Sequence, residues 1–158
     1  MPIQPEVDGE FYIDNTDNSF YLRESAQWNY KGKLVRAHIV GVTSEGAFPF
    51  TNAQFFELAI SETPEHYSQA FSAARSEVNA VYPTATSCDV VLTDDLSSFL
   101  GTGSNVICTA HFSGVAQIAT LTFADKIIPA FTPLWVVMPL VADAALAGIR
   151  CLFASEPV

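Results

Sequence analysis

Residues 125–153 read DKIIPAFTPLWVVMPLVADAALAGIRCLF, a strongly apolar stretch that contains three prolines. It does not fit a membrane span, because Pro129, Pro133, Pro139 and Asp143 divide it into pieces of fewer than about ten residues. A helix is excluded as well, since a proline inside a helix removes a hydrogen bond and clashes with the preceding turn. Pro133 and Pro139 instead bracket a short apolar strand and keep it from extending. The stretch therefore predicts the two closing strands of a β-sandwich, joined by a shaped loop.

Further short apolar runs, separated by Gly, Ser, Asp and Pro, fill the second half of the chain. They are SCDVVLT (87–93), NVICTAHFS (105–113), VAQIATLTF (115–123), PLWVVMP (133–139) and AALAGIRCLF (144–153). This spacing is typical of sandwiches and barrels. We predict a mainly β fold, a jelly-roll-like two-sheet antiparallel sandwich, with an immunoglobulin-like sandwich as the alternative.

One segment interrupts the strand pattern. In TPEHYSQAFSAARSEVNAVYP (63–83), Thr63 suits an N-cap and Pro64 the first helical position. Apolar residues then recur at helical spacing, at Tyr67, Phe71, Ala74, Val78 and Val81. The pattern predicts one α-helix over residues 64–81, inserted between strands.

The N-terminal region predicts an arm followed by a hairpin. Residues 1–10 carry two prolines and no periodicity, and FYIDNTDNSFYL (11–22) places aromatic runs on both sides of a turn-rich segment. We therefore expect an arm at 1–10 and a single β-sandwich domain at 11–158. The start of the chain lacks the basic and apolar regions of a secretory signal, so we expect synthesis in the cytoplasm.

The charge distribution argues against nucleic acid as a partner and for self-association. The net charge is −10, and the seven basic residues form no cluster that could neutralise phosphates. Only 15% of residues are charged, which suggests that other copies cover part of the surface. We expect a homotrimer, or else a dimer, with an interface formed by aromatic residues, namely Phe11, Tyr12, Phe20, Tyr21, Phe48 and Phe50.

No catalytic or cofactor motif occurs in the sequence. The three histidines, His38, His66 and His111, are not spaced as metal ligands, and the three cysteines fit free thiols inside strands. Asp94–Asp95 and the DNTDN segment (14–18) could bind Ca²⁺ through side-chain oxygens, but solvated turns explain them more simply. We predict no catalytic residues, no metal and no cofactor.

Three aromatic residues suggest a second kind of function. Trp28, Tyr30 and Trp135 could stack on sugar rings if they are exposed, although packing in a core or an interface explains them as well.

The C-terminal segment resembles a segment of virion proteins of tailed bacteriophages, found in jelly-roll fibre, tail and capsid-decoration domains. In that pattern a lead-in, a strand closed by proline, a short turn and a final apolar strand follow one another. The matching positions here are Ile127 and Ile128, Leu134–Val137 with Pro139, Asp143, Ala144, Leu146 and Ala147, and Ile149–Phe153.

The resemblance implies a non-enzymatic bacteriophage structural protein located in the virion. The most fitting roles are a capsid cement or decoration protein, or a fibre or tail component. Its expected partners are further copies of itself and other virion proteins such as the major capsid protein, with no nucleic acid and no membrane. The alternative is a carbohydrate- or receptor-binding β-sandwich module.

Overall fold

A computed structural model describes residues 8–14, 19–33, 35–42, 55–58, 60–82, 85–96, 105–139 and 145–158. Strands make up most of the secondary structure in these ranges, and every strand pair is antiparallel. The elements are β1 (Phe11–Asp14), β2 (Ser19–Glu24), β3 (Gln27–Lys33), β4 (Arg36–Val42), β5 (Phe55–Glu57), β6 (Glu65–Tyr67), α1 (Gln69–Ser72), β7 (Glu77–Tyr82), β8 (Cys88–Thr93), β9 (Val106–Phe112), β10 (Thr120–Phe123), β11 (Lys126–Ile128), β12 (Trp135–Val137) and β13 (Ala147–Pro157). The predicted mainly β class is confirmed.

The long strand β13 organises one sheet. Its residues 149–155 pair with β4 along one edge, and residues 147–152 pair with β7 along the other. Further along that second edge, Glu156 and Pro157 pair with β6, which in turn pairs with β11. β6 and β7 therefore behave as one interrupted strand beside β13.

A second sheet has the strand order β10-β9-β8-β12-β5. A single cluster of buried apolar side chains joins it to the sheet around β13. At its centre the ring of Phe123 on β10 stacks on Tyr67, with centroids 6.2 Å apart, and meets Phe153 edge-on at 6.4 Å. Since such ring pairs stabilise beyond their buried area, this contact fixes the two layers against each other. The arrangement is consistent with a β-sandwich, and the jelly-roll connection stays a prediction.

The predicted helix over residues 64–81 is wrong in extent. Only Gln69–Ser72 is helical, and Ser68, not Thr63, is the N-cap, its Oγ accepting from the N–H of Phe71 at 3.3 Å. On β7, Val78 and Ala80 are buried while Val81 is 64% exposed. This is the period of a strand, and pairing with β13 overrides the helical spacing of the apolar residues.

The chain between β6 and β7, which includes the short helix, does not pair with β13. Residues 153–155 of β13 therefore have no neighbouring strand on that edge. At this unpaired stretch, the Oγ of Ser76 accepts a hydrogen bond from the N–H of Ala154 at 2.9 Å. A buried backbone donor needs a partner, and a side chain provides it where the strand is missing.

The closing segment also differs from its expected arrangement. β12 pairs with β5 and β8 in one sheet, whereas β13 pairs with β4, β6 and β7 in the other. The two strands are therefore not a closing pair but lie in different layers. β13 also runs to Pro157, beyond the expected end at Phe153, because β4 and β6 continue to pair with it.

The first three strands form a sheet of their own, in the order β1-β2-β3. Residues 8–10, at the end of the expected arm, take part in it: the N–H of Gly9 donates to the carbonyl of Arg23, and the N–H of Arg23 donates to the carbonyl of Glu10. The division into an arm and one sandwich domain stays a prediction.

Candidate functional site

One face of the N-terminal sheet is an array of aromatic rings. The register places Tyr12 opposite Tyr21, and Tyr21 opposite Tyr30. Ring centroids lie 6.2 Å apart for Tyr12–Tyr21, 5.7 Å for Tyr21–Tyr30 and 5.9 Å for Tyr12–Trp28. The guanidinium of Arg23 lies over the Trp28 ring, 5.9 Å from its centroid. We call these four rings, Tyr12, Tyr21, Trp28 and Tyr30, the aromatic face.

On β1 and β2 the opposite side of the same sheet is apolar. Successive residues of a strand point to opposite sides, so Phe11 and Ile13 on β1, with Phe20 and Leu22 on β2, lie behind the aromatic face. The rings of Phe11 and Phe20 are 6.2 Å apart, and Phe11 is 69% exposed. We call these four residues the apolar face.

A turn without glycine joins β2 to β3. Ser25 and Ala26 have φ of 52° and 62°, the left-handed conformation that a two-residue hairpin turn of this kind requires. The carboxylate of Asp8 accepts from both turn amides, at 3.1 Å from Ser25 and 2.9 Å from Ala26. Because the side chain of Asp8 satisfies both donors, it holds the turn that sets the register of the aromatic face.

The structure brings together most of the residues expected at an interface, but not on one surface. Phe11 and Phe20 lie on the apolar face, whereas Tyr12 and Tyr21 lie on the aromatic face. Phe48 and Phe50 lie outside the described residues.

The three residues proposed for sugar stacking are also divided. Trp28 and Tyr30 share the aromatic face, but Trp135 is half-buried on β12, between β5 and β8 in another sheet. The joining of Tyr12 and Tyr21 to Trp28 and Tyr30 was missed. It depends on strand register, because the pairing of Asp14 with Ser19 sets Tyr12 opposite Tyr21, and the pairing of β2 with β3 then adds Tyr30 and Trp28.

A second polar site lies at one end of the sandwich. Glu65 on β6 is 1% exposed, and Nε2 of His38 on β4 lies 2.9 Å from both of its carboxylate oxygens. The hydroxyl of Tyr67 donates to the same carboxylate at 3.0 Å, and a guanidinium nitrogen of Arg36 lies 3.6 Å away. The carboxylate thus has hydrogen-bond donors and positive charge around it, as a buried anion requires.

These contacts shift the acidities of the two acidic groups in opposite directions. Burial disfavours the charged form of Glu65, but the hydrogen bond and charge of His38, helped by Ser61 and Tyr67, outweigh it and lower the pKa of Glu65. Burial and the nearby carboxylate raise the pKa of Tyr67. Tyr67 therefore remains a neutral donor to an ionised Glu65.

An open cleft of about 540 Å³ adjoins this pair, lined by residues 36–38, residues 60–63 and Glu65. The Ser61 hydroxyl contacts Arg36 and donates to the carbonyl of Thr63 at 2.7 Å. The site is a charge network between β4 and β6.

Several acidic side chains elsewhere lie beside a histidine or a lysine. Asp94 forms an ion pair with Lys126 at 2.8 Å, and Asp89 lies 2.7 Å from Nδ1 of His111. His66, expected in a helical turn, lies on β6 beside Asp125. Within the described ranges no three His, Cys, Asp or Glu side chains gather as a metal site, and residues 15–18 lie outside those ranges.

The comparisons with known proteins found no match for this chain among protein-family models, curated proteins or solved structures. No helix in the described part of the chain is both long and apolar enough to span a membrane.

Proposed function

We propose that this chain is a non-enzymatic structural component of a bacteriophage virion that assembles as a homo-oligomer. The observation that carries the proposal is the three-stranded sheet β1–β3, which bears apolar or aromatic side chains on both sides. The apolar side of a sheet is buried only when another element, or another copy of the chain, packs against it. Since Phe11 is 69% exposed, the residues that the structure describes do not fully cover the apolar face.

Further copies of the chain are the occupant that best fits this face. The chain carries a net charge of −10, so two copies repel each other except where their surfaces are uncharged. The four residues of the apolar face are uncharged, and Glu24 at its edge pairs with Lys31 at 2.8 Å. Self-association through this face would bury apolar area without burying a net charge.

The virion class itself comes from the resemblance of residues 125–153 to jelly-roll virion domains. Within that class, we propose a capsid cement or decoration protein, or a fibre or tail component. These roles suit a small acidic chain whose N-terminal sheet carries the apolar face. We propose a homotrimer first and a dimer second, with other virion proteins such as the major capsid protein as further partners. The protein would be made in the host cytoplasm and remain in the particle.

Two measurements test this function. Mass spectrometry of purified phage particles that encode the chain should detect it at a fixed ratio to the major capsid protein. Light scattering of the purified chain should give a mass of three, or else two, times 17.1 kDa. Absence from the particles would overturn the virion role, whereas a clean monomer at micromolar concentration would overturn the oligomer alone.

A further inference from the structure

We infer that the aromatic face of β1–β3 binds carbohydrate, specifically an oligosaccharide whose pyranose rings expose C–H faces. Tyr12, Tyr21, Trp28 and Tyr30 run across all three strands, each ring within 6.2 Å of the next. Their Cβ atoms are fixed by backbone pairing, so the rings form a continuous surface with little freedom to lose on binding.

The geometry of the rings suits sugars better than another flat apolar surface. Their planes are inclined to one another by 33° to 68°, so the surface is ridged. Tyrosine and tryptophan each combine an apolar ring with a polar atom that takes part in hydrogen bonds. A pyranose has the matching composition, with C–H groups for the rings and hydroxyls for the polar atoms.

Arg23 adds a positive charge at the same place. Its guanidinium lies over the Trp28 ring, 5.9 Å from the centroid, and so stands beside the stacking surface. Tyr30, at 58% exposed, is the most accessible ring and the first that a ligand would meet.

The two sides of the sheet differ in the ligands that they suit, and this difference favours carbohydrate on the aromatic face. A protein partner would bury apolar area at less cost on the apolar face, because the side chains there have no polar atoms to desolvate. These side chains are Phe11, Ile13, Phe20 and Leu22. Nucleic acid would also stack on aromatic rings, but the net charge of −10 opposes phosphate approach. Carbohydrate remains the class that uses both the rings and their polar atoms.

This inference does not depend on the virion role or on the oligomer. The two faces point to opposite sides of the sheet, so copies packed through the apolar face would leave the aromatic face outward. An oligomer would then present several aromatic faces, and weak binding at each would add to a stronger avidity.

The test is binding of the full-length chain to an array of immobilised neutral, amino-sugar and acidic oligosaccharides, followed by titration with the best-bound oligosaccharide in solution. We expect Tyr30→Ala to weaken the solution affinity roughly three- to tenfold, the range expected for one lost ring contact. Tyr30→Phe keeps the ring and should restore most of the affinity. Tyr82→Ala is the matched control, because Tyr82 is an exposed tyrosine on β7.

Trp28→Ala should weaken the oligosaccharide affinity more than Tyr30→Ala does. The near-ultraviolet circular dichroism of the Trp28→Ala variant shows whether it remains folded. If that variant unfolds, the comparison of Tyr30→Ala with Tyr30→Phe still decides. The inference is overturned if the folded chain binds no oligosaccharide on the array. It is also overturned if Tyr30→Ala and Tyr82→Ala bind as tightly as the unaltered chain.

Discussion

Nε2 of His38 lies 2.9 Å from both carboxylate oxygens of Glu65, which joins the edge strand β4 to β6 across the end of β13. Because a carboxylate only accepts hydrogen bonds, the histidine nitrogen must be the donor. The Glu65 side chain is 2% exposed and that of His38 is 11% exposed, so water screens the pair little.

We predict that Glu65→Gln lowers the free energy of unfolding at neutral pH by about 1–3 kcal/mol, because the charged acceptor for His38 and Tyr67 is lost. The pKa of Glu65 is lowered in the folded chain, so its contribution is present above the unfolded pKa of about 4.3. The contribution is lost as the pH falls from there through the lower folded pKa. Urea denaturation across the pH range measures it.

The matched control is Glu57→Gln, which alters an exposed glutamate on β5. Its unfolding free energy should stay close to that of the unaltered chain at every pH. A gap between Glu65→Gln and the unaltered chain that persists undiminished at strongly acidic pH would contradict the ionic role of Glu65.

The sequence predicted the strands better than the contacts between them. Apolar runs such as Cys88–Thr93 and Val106–Phe112 are recognisable as strands from their length and from the turn residues around them, which are local properties. The prediction for residues 64–81 failed because the segment offers apolar residues at both spacings: Val81 follows Val78 at helical spacing, and Ala80 follows it at strand spacing. Only pairing with β13 decides between them. Long-range pairing is not visible in a local window.

The candidate sites show the same limit. The aromatic residues of β1–β3 were recognised, but their separation into two faces depends on strand register. The buried pair of His38 and Glu65 was missed, because its members are 27 positions apart and meet only across β13. Neither residue has a motif around it that indicates a partner.

The turn between β2 and β3 gives a second prediction. Ala26 has a φ of 62°, a conformation that costs an L-residue roughly 1–2 kcal/mol and glycine almost nothing. We expect Ala26→Gly to stabilise the N-terminal sheet and Asp8→Ala to destabilise it, since Asp8 accepts from both turn amides. Native-state hydrogen exchange at the Arg23 amide, which bonds to Glu10 across the sheet, reports both effects.

Ala26→Val serves as the opposite substitution, because a β-branched residue is poorly tolerated at positive φ. Faster exchange at Arg23 is the expected result for it. Slower exchange in Ala26→Val, or unchanged exchange in Asp8→Ala, would show that the turn does not control the sheet.

The cysteines give a third prediction. Cys108 and Cys151 are fully buried, and burial raises the pKa of each thiol to about 12, whereas Cys88 is half-buried. Since the thiolate is the reactive species, we expect a disulfide reagent at pH 8 to label Cys88 first. The other two thiols should react only after unfolding in urea.

Cys88→Ser is the control, and the folded variant should show no rapid labelling. Labelling of two or more thiols at the fast rate in the folded, unaltered chain would be inconsistent with a core that buries Cys108 and Cys151.

The last prediction concerns the apolar face and its proposed occupant. Phe11→Ser combined with Phe20→Ser removes two rings whose centroids are 6.2 Å apart and places hydroxyls where another copy would have to desolvate them. We expect the trimer, or else the dimer, to dissociate to the monomer at micromolar concentration, as measured by light scattering. Tyr30→Ala on the opposite side of the sheet and Ile118→Ser, an exposed apolar residue following β9, should leave the mass unchanged. Retention of the oligomer by the double variant, with its sheet still folded as judged by slow hydrogen exchange at the Arg23 amide, would place the interface elsewhere.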